Sequence, residues 1–276
     1  MKGVIIVKML GAVVGDIIGS PYEHFDIKTV NFPLFTKRSH FTDDTVMTFA
    51  IVRAVMSCMK FHGDVVDDIT FKISVFNSIR KLARRFPYAG YGKGFTSWLY
   101  SKDPRPYRSW GNGSAMRVSP VAWAFDDLSS VEHFAELSAL ITHNHIEGIK
   151  GAVSTAGAVF LARTGHTKEE IRGYTTGKFG YDLSRTIDEI RPDYTFSSSC
   201  PGSLPEAFTA FLEGENFEDV VRKAVSIGGD SDTIACIAGS IAEPFFSIPT
   251  LIQVEAFAKL HPYLQYLEEK WEQWRN

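Results

Sequence analysis

Apolar residues recur at three- and four-residue spacing through most of this chain, a period that suits helices and little else. Segments 43–60, 64–85, 131–142, 146–164, 204–213, 217–226, 233–242 and 250–274 all carry it. Within 204–213, Leu204, Phe208, Phe211 and Leu212 make one stripe; within 217–226, Phe217, Val220, Val221, Ala224 and Val225 make another. The stretch 148–162 (GIKGAVSTAGAVFLA) is rich in Gly and Ala, which let neighbouring helices approach closely, so it reads as a central helix. Few segments alternate with period two, no repeat of fixed length recurs, and no low-complexity linker divides the chain. The expected fold class is all-α: a single compact helical domain over 1–276.

With 276 residues, 45% of them hydrophobic, the chain is long enough to bury a sizeable core. Its net charge of −3 comes with no basic block, so nothing asks for a nucleic-acid partner. The best basic cluster, RKLARR at 80–85, reads as the polar part of a helix. Cys58, Cys200 and Cys236 form no CxxC pair, which argues against a disulfide scaffold or a zinc finger and sets the expectation of a reducing, cytoplasmic compartment. The first twenty residues look faintly like a secretory leader, but Lys8 interrupts the apolar run and Asp16 stands where a small cleavage residue belongs. They read instead as a buried first helix. No run of 18 apolar residues occurs, so no membrane span is expected, and the sequence carries no signal of oligomeric state.

Two acidic turns stand out: FTDDT at 41–45 and GGDSDT at 228–233. Each places two aspartates beside a threonine and runs straight into an apolar helix. Alone, either reads as a helix N-cap, where one side-chain oxygen accepts an orphan N–H. A cap needs one acceptor, however, and both turns supply three oxygens: Thr42, Asp43 and Asp44 from one, and Asp230, Asp232 and Thr233 from the other. Carboxylates and hydroxyls in this density suit hard cations such as Mg²⁺. Four converging carboxylates would repel one another unless protonated or neutralised, and two divalent ions would neutralise them. An EF-hand does not fit, because DSDTIACIAG lacks the glycine at the sixth loop position and the later acidic ligand.

The remaining glycines gather in what read as loops: GDIIGS (15–20), AGYGKGF (89–95), WGNGSAMR (110–117) and SIGGDSDT (226–233). WGNGSAMR leads into VAWAF, so its amides could hold an anion such as phosphate, although no GK[ST] follows to make a Walker A loop. AGYGKGF offers a second cradle, with Tyr91 and Phe95 available to stack on a ring. Either loop is otherwise an ordinary turn. ITHNHIE brings His143, His145 and Glu147 together; its HxH spacing suits a transition metal, but a hydrogen-bonded or ligand-contacting histidine is the simpler reading. Glu23, in GSPYEHF, reads on its own as a solvated loop acid.

GDIIGSPYE, FTDDT, GNGSAMR, ITHNH and GGDSDT, in this order and at these separations, resemble the ADP-ribosylglycohydrolase family, from about residue 9 to about residue 250. The resemblance implies an orthogonally packed all-α fold with a cleft holding two Mg²⁺ ions, or Mn²⁺ in their place. It implies Thr42, Asp43, Asp44, Asp230, Asp232 and Thr233 as metal ligands. Glu23 matches a glutamate on a segment that reaches the metal or the scissile bond, and Asp16 matches an acid behind the ligands. For ADP-ribose, the resemblance implies contacts from Gly111, Asn112, Gly113, Ser114, Ala115 and Met116 to the diphosphate, and from the Gly90–Gly94 loop, Gly92 included, and His143. The chain departs from the family at EPFFSIP (243–249), where a Tyr-Gly or similar pair is usual, and this bears on loop geometry around Pro244 and Ser247.

The activity so implied is hydrolysis at the anomeric carbon joining ADP-ribose to an acceptor, through an oxocarbenium-like transition state. Asp44 is the expected base or orienting group for water, with Asp43 and Glu23 beside it. The substrate is an ADP-ribosylated protein or small molecule, with nucleic acid entering only as an ADP-ribosylated substrate. Other readings stay open: hydrolysis of a compound such as O-acetyl-ADP-ribose, a non-catalytic ADP-ribose-binding protein, and a helical protein whose acids are only caps.

Overall fold

The structure, a computed structural model, describes residues 9–59 and 66–275. Fourteen α-helices occur among them: α1 (Gly11–Gly19), α2 (Asp43–Cys58), α3 (Asp68–Arg85), α4 (Lys93–Tyr100), α5 (Ser119–Ala124), α6 (Leu128–Ala139), α7 (Ile146–Arg163), α8 (Lys168–Phe179), α9 (Ile187–Ile190), α10 (Cys200–Glu213), α11 (Phe217–Ser226), α12 (Ser231–Phe246), α13 (Thr250–Ala258) and α14 (Pro262–Arg275). No strand forms among the described residues; the one antiparallel bridge pairs Gly111 with Ser199. The protein is all-α, as the period predicts. No described helix is long and apolar enough to cross a membrane.

Local chemistry sets the boundaries. Asp67 starts α3 by accepting the amides of Ile69 and Thr70, each at 3.0 Å; the expected start at 64 falls within 60–65, outside the described residues. Asp127 caps α6 and Ser199 caps α10, which begins four residues before the expected 204. The expected helix 250–274 is two helices: Pro262 lacks the N–H a continuing helix needs, so α13 ends and α14 begins there. The expected first helix is α1; residues 1–8 of that reading lie outside the described residues.

The expectation that GDIIGS forms a loop is corrected: these residues are the C-terminal half of α1 and the 3₁₀ turn after it. Their glycines serve helix packing. Gly11, Gly15 and Gly19 recur every fourth residue and face α12, where a Cβ on Gly15 would stand 2.0 Å from the Ala235 carbonyl oxygen and one on Gly19 2.5 Å from Asp232 Cα. Two backbones therefore meet with no side chain between them. The buried apolar residues form one connected core from Met9 to Trp271, with the Gly/Ala-rich α7 buried along most of its length, as expected of a central helix.

Candidate active site

The close contact of α1 with α12 brings the two acidic turns together. Asp44 lies in the first turn of α2 and Asp232 in the first turn of α12, so two positive helix ends face the cluster. Asp16, fully buried on α1, holds the first turn with both carboxylate oxygens. Oδ2 accepts the Thr42 amide at 2.9 Å, the Thr45 amide at 3.1 Å and the Thr45 hydroxyl at 2.5 Å; Oδ1 accepts the Thr42 hydroxyl at 2.8 Å. Both threonines that bracket the aspartate pair thus bind the same acid. The second turn needs left-handed backbone at Gly228 (φ 79°) and Gly229 (φ 64°), and Asp26 steadies it by accepting the Gly229 amide at 2.9 Å.

Across the gap, the Thr233 hydroxyl donates to Asp44 Oδ2 at 3.3 Å, and Asn112 Nδ2 donates to Asp230 Oδ2 at 2.7 Å. Asp44 Oδ1 is buried without a partner. Burial pushes the Asp43, Asp44 and Asp232 carboxyls well above the ordinary range, and neighbouring carboxylates add to the shift: Asp16, Asp43 and Asp230 act on Asp44. Glu23, Asp230 and Asp232 each present an oxygen within 4.8 Å of the others, a spacing that suits one cation. The solvated loop acid of the sequence reading is therefore half-buried beside the second turn, its own carboxyl raised by burial.

These groups form the floor of a cleft of about 570 Å³. Of the residues expected as ligands or contacts, Glu23, Asp43, Asp44, Asp230, Asp232, Thr233, Gly92, Gly111, Asn112, Gly113, Met116 and His143 line it. Thr42, Ser114 and Ala115 do not: the Thr42 hydroxyl turns to Asp16, the Ser114 hydroxyl donates to the Gly148 carbonyl at 2.7 Å, and Ala115 is buried. Four amides of the expected anion loop are already engaged. Gly111 donates to Ser109 Oγ, Asn112 to the Ser198 carbonyl, and Ala115 and Met116 to the Asn112 carbonyl. The bridge between Gly111 and Ser199 fixes this loop against the start of α10.

Burial, aided by Arg117, pushes the His143 imidazole well below its ordinary range, so the ring is neutral. His145 caps α7 through the Glu147 amide, a structural role. Arg117, Tyr107 and Phe196 also line the cleft and were not singled out from the sequence. Arg117 closes the WGNGSAMR motif, which was the available signal; Tyr107 and Phe196 lie in segments with none. The EPFFSIP departure is remote from the cleft. Pro244 lies within α12, twelve residues and about 18 Å of helix beyond Asp232, and the Glu243 carboxylate caps α1, accepting the Gly11 amide at 2.8 Å.

A helical fold with two acidic turns under a glycine-loop cleft defines a class of protein, and comparison with known proteins gives it a family. The family model for ADP-ribosylglycohydrolase matches residues 6–242, and the chain belongs to that family. It is 26% identical over 315 residues to ADP-ribosylhydrolase ARH3 of Mus musculus, covering 87% of this chain and 83% of the relative. It is 24% identical over 268 residues to ADP-ribosylarginine hydrolase Tri1 of Pseudomonas putida (strain GB-1), covering 87% of this chain and 70% of that one. A solved structure, an ADP-ribosylglycohydrolase-related protein complex, has the same fold with a TM-score of 0.69 and 22% identity, covering 95% of this chain and 93% of that one.

Proposed function

We propose that this chain, as a single domain, hydrolyses the glycosidic bond between ADP-ribose and an acceptor at a centre of two divalent cations. The carrying observation is the convergence of buried carboxylates from two distant turns at the floor of one cleft, with Asp44 Oδ1 left without a partner. The donor set fits the cations: desolvated carboxylates that raise one another's pKa, and hydroxyl oxygens, are hard ligands needing a positive charge. Asp43, Asp44, Asp230, Asp232 and Thr233 would hold them. Thr42 would join through its hydroxyl oxygen, whose hydrogen Asp16 takes, and Glu23 lies close enough to Asp230 and Asp232 to share a cation. Bound Mg²⁺ or Mn²⁺ would supply charge neutralisation and Lewis-acid polarisation.

The chain's own residues do the rest. Asp44 orients the attacking water and takes its proton, and Asp43 shares the floor beside it. Glu23, beside Asp230 and Asp232, assists at the scissile bond. The cleft-lining residues of the glycine loop, Gly111, Asn112, Gly113 and Met116, with Gly92 and His143, hold the ADP-ribosyl diphosphate and ribose, so that binding energy far from the reacting carbon positions it. The acceptor lies beyond the ribose, towards Glu23. Release of ADP-ribose from arginine-linked, serine-linked, nucleic-acid-linked and O-acetyl substrates, with and without EDTA, tests the proposal. Release from at least one substrate that EDTA abolishes and Mg²⁺ or Mn²⁺ restores supports it; tight ADP-ribose binding with no turnover on any would replace it with a binding protein.

A further inference from the structure

Behind the glycine loop lies a buried polar relay that the hydrolytic groups do not use. Arg117, 1% exposed, donates through Nη2 to the Ser138 carbonyl at 2.9 Å and to Thr142 Oγ1 at 3.0 Å. Thr142, 0% exposed, sits 2.7 Å from His143 Nδ1. No carboxylate pairs with Arg117 among the described residues, and burial lowers its guanidinium only to about 10, so it stays charged at neutral pH. A buried cation without a counter-charge is costly, and here the two bonds from Nη2 offset part of that cost.

The hydrogen-bond inventory fixes the direction of the relay. A guanidinium only donates, so Thr142 Oγ1 accepts from Arg117. The threonine's single hydrogen must then go elsewhere, and the acceptor in reach is His143 Nδ1. A proton on Nδ1 would set two donors against one hydroxyl and leave the hydroxyl hydrogen without an acceptor. Nδ1 is therefore bare, and the neutral ring carries its proton on Nε2. That nitrogen faces the cleft's glycine loop: a Cβ on Gly113 would stand 3.2 Å from it, and one on Gly111 3.6 Å. The remaining titratable group against the ring is Tyr107, at 6.1 Å between ring centroids.

We propose that Arg117 and Thr142 are positioning residues that lock His143 as an Nε2–H donor aimed at ligand oxygen in the cleft. The donor is then present at any pH at which the ring is neutral, and Gly111 and Gly113 leave the space in which the oxygen sits. The consequence for the ligand rests on the ADP-ribose reading above; the tautomer does not.

The test is ¹⁵N-imidazole NMR of the histidine-labelled full chain, with His143 assigned from the His143→Gln spectrum, alongside ADP-ribose calorimetry in Mg²⁺. The expected wild-type spectrum shows His143 with Nε2 protonated and Nδ1 bare. Thr142→Val should mix the tautomers and weaken ADP-ribose binding about five- to tenfold, the loss of roughly one aligned donor, and Thr142→Ser should restore both. A wild-type Nδ1–H tautomer overturns the proposal even if Thr142→Val does not fold. Affinity lost in Thr142→Val with the tautomer unchanged also overturns it, since that is a packing effect. An Nε2–H tautomer in a protein that binds no ADP-ribose leaves the relay standing and instead defeats the ligand reading.

Discussion

The Thr233 hydroxyl reaches Asp44 Oδ2 at 3.3 Å across 189 residues of sequence. It joins the N-termini of α2 and α12: the glycines of α1 let α12 pack closely on that helix, and Asp16 of the same helix holds the turn that starts α2. Each helix end brings positive dipole and each turn brings negative charge, but the balance favours the carboxylates. A helix end supplies about half a charge, against a full charge on each ionised acid. The surplus is what a divalent cation would neutralise.

Asp44 gives a test of that surplus. Its carboxyl is held well above the ordinary range by burial and by Asp16, Asp43 and Asp230, so folding at pH 7 carries the cost of keeping it protonated or burying its charge. Millimolar Mg²⁺ should raise the melting temperature of EDTA-stripped wild-type protein. Asp44→Asn should melt higher than stripped wild type, by about 1–2 kcal/mol of stability, and should lose both the Mg²⁺ response and ADP-ribose release. A variant that still responds fully to Mg²⁺ would remove Asp44 from the cation set.

Asn112 holds Asp230 from behind, donating to it at 2.7 Å, and Ser203 Oγ accepts its second amide hydrogen at 2.9 Å. Removing such an orienting donor typically costs 10–100-fold in metal affinity or activity. Asn112→Ala should weaken Mg²⁺ binding by about that factor while circular dichroism stays helical. Unchanged affinity by calorimetry would mean that Asp230 needs no support.

The parts legible in the sequence were those that repeat a local rule. Segment 217–226 was legible to the residue because its stripe is strong and its cap, Asn216, stands directly before it. The paired aspartates were legible because charge is rarely spent twice in one cap. What escaped depends on tertiary contact or on weak local signals. GDIIGS reads as a loop because its glycines look like turn residues until α12 is laid against them. α8 is mostly polar, and its local marks lie at its ends: the capping box of Thr167 and Glu170 at the start and left-handed Gly180 just past the last turn. The period of 250–274 runs across Pro262 and hides the break. The Arg117–Thr142–His143 relay joins two motifs that only packing brings together.

A Gly→Ala substitution inside the α1–α12 contact and one outside it should have opposite outcomes. In Gly15→Ala the new methyl would meet the Ala235 carbonyl at 2.0 Å, backbone that cannot swing aside. Separating the helices should cost about 3 kcal/mol or more and pull Asp16 away from the threonines of the first turn, lowering Mg²⁺ affinity as well. Gly173→Ala, within α8, meets nothing within 4 Å and should stabilise by about 0.5–1 kcal/mol. Urea denaturation of the two variants beside wild type measures both; equal effects would discard the close-packing account.

Glu206 carries the pH prediction. It is buried on α10, with Oε1 3.4 Å from Arg185 Nη2 and Oε2 without a partner. Burial lifts its carboxyl from 4.5 to about 7, with Arg185 opposing the shift. The folded state therefore keeps a proton that the unfolded chain releases. The associated stability is fully present below about pH 4.5 and is lost as pH rises through about 7. Glu206→Gln keeps the shape and has no proton to lose. Its stability relative to wild type should rise between pH 5 and pH 8 by about 1–3 kcal/mol, from a shift of this size at 1.36 kcal/mol per unit. The other buried acids titrate in both proteins and cancel in the difference. Urea denaturation at the two pH values measures it; a constant difference between the two proteins would show that Glu206 does not titrate in this window.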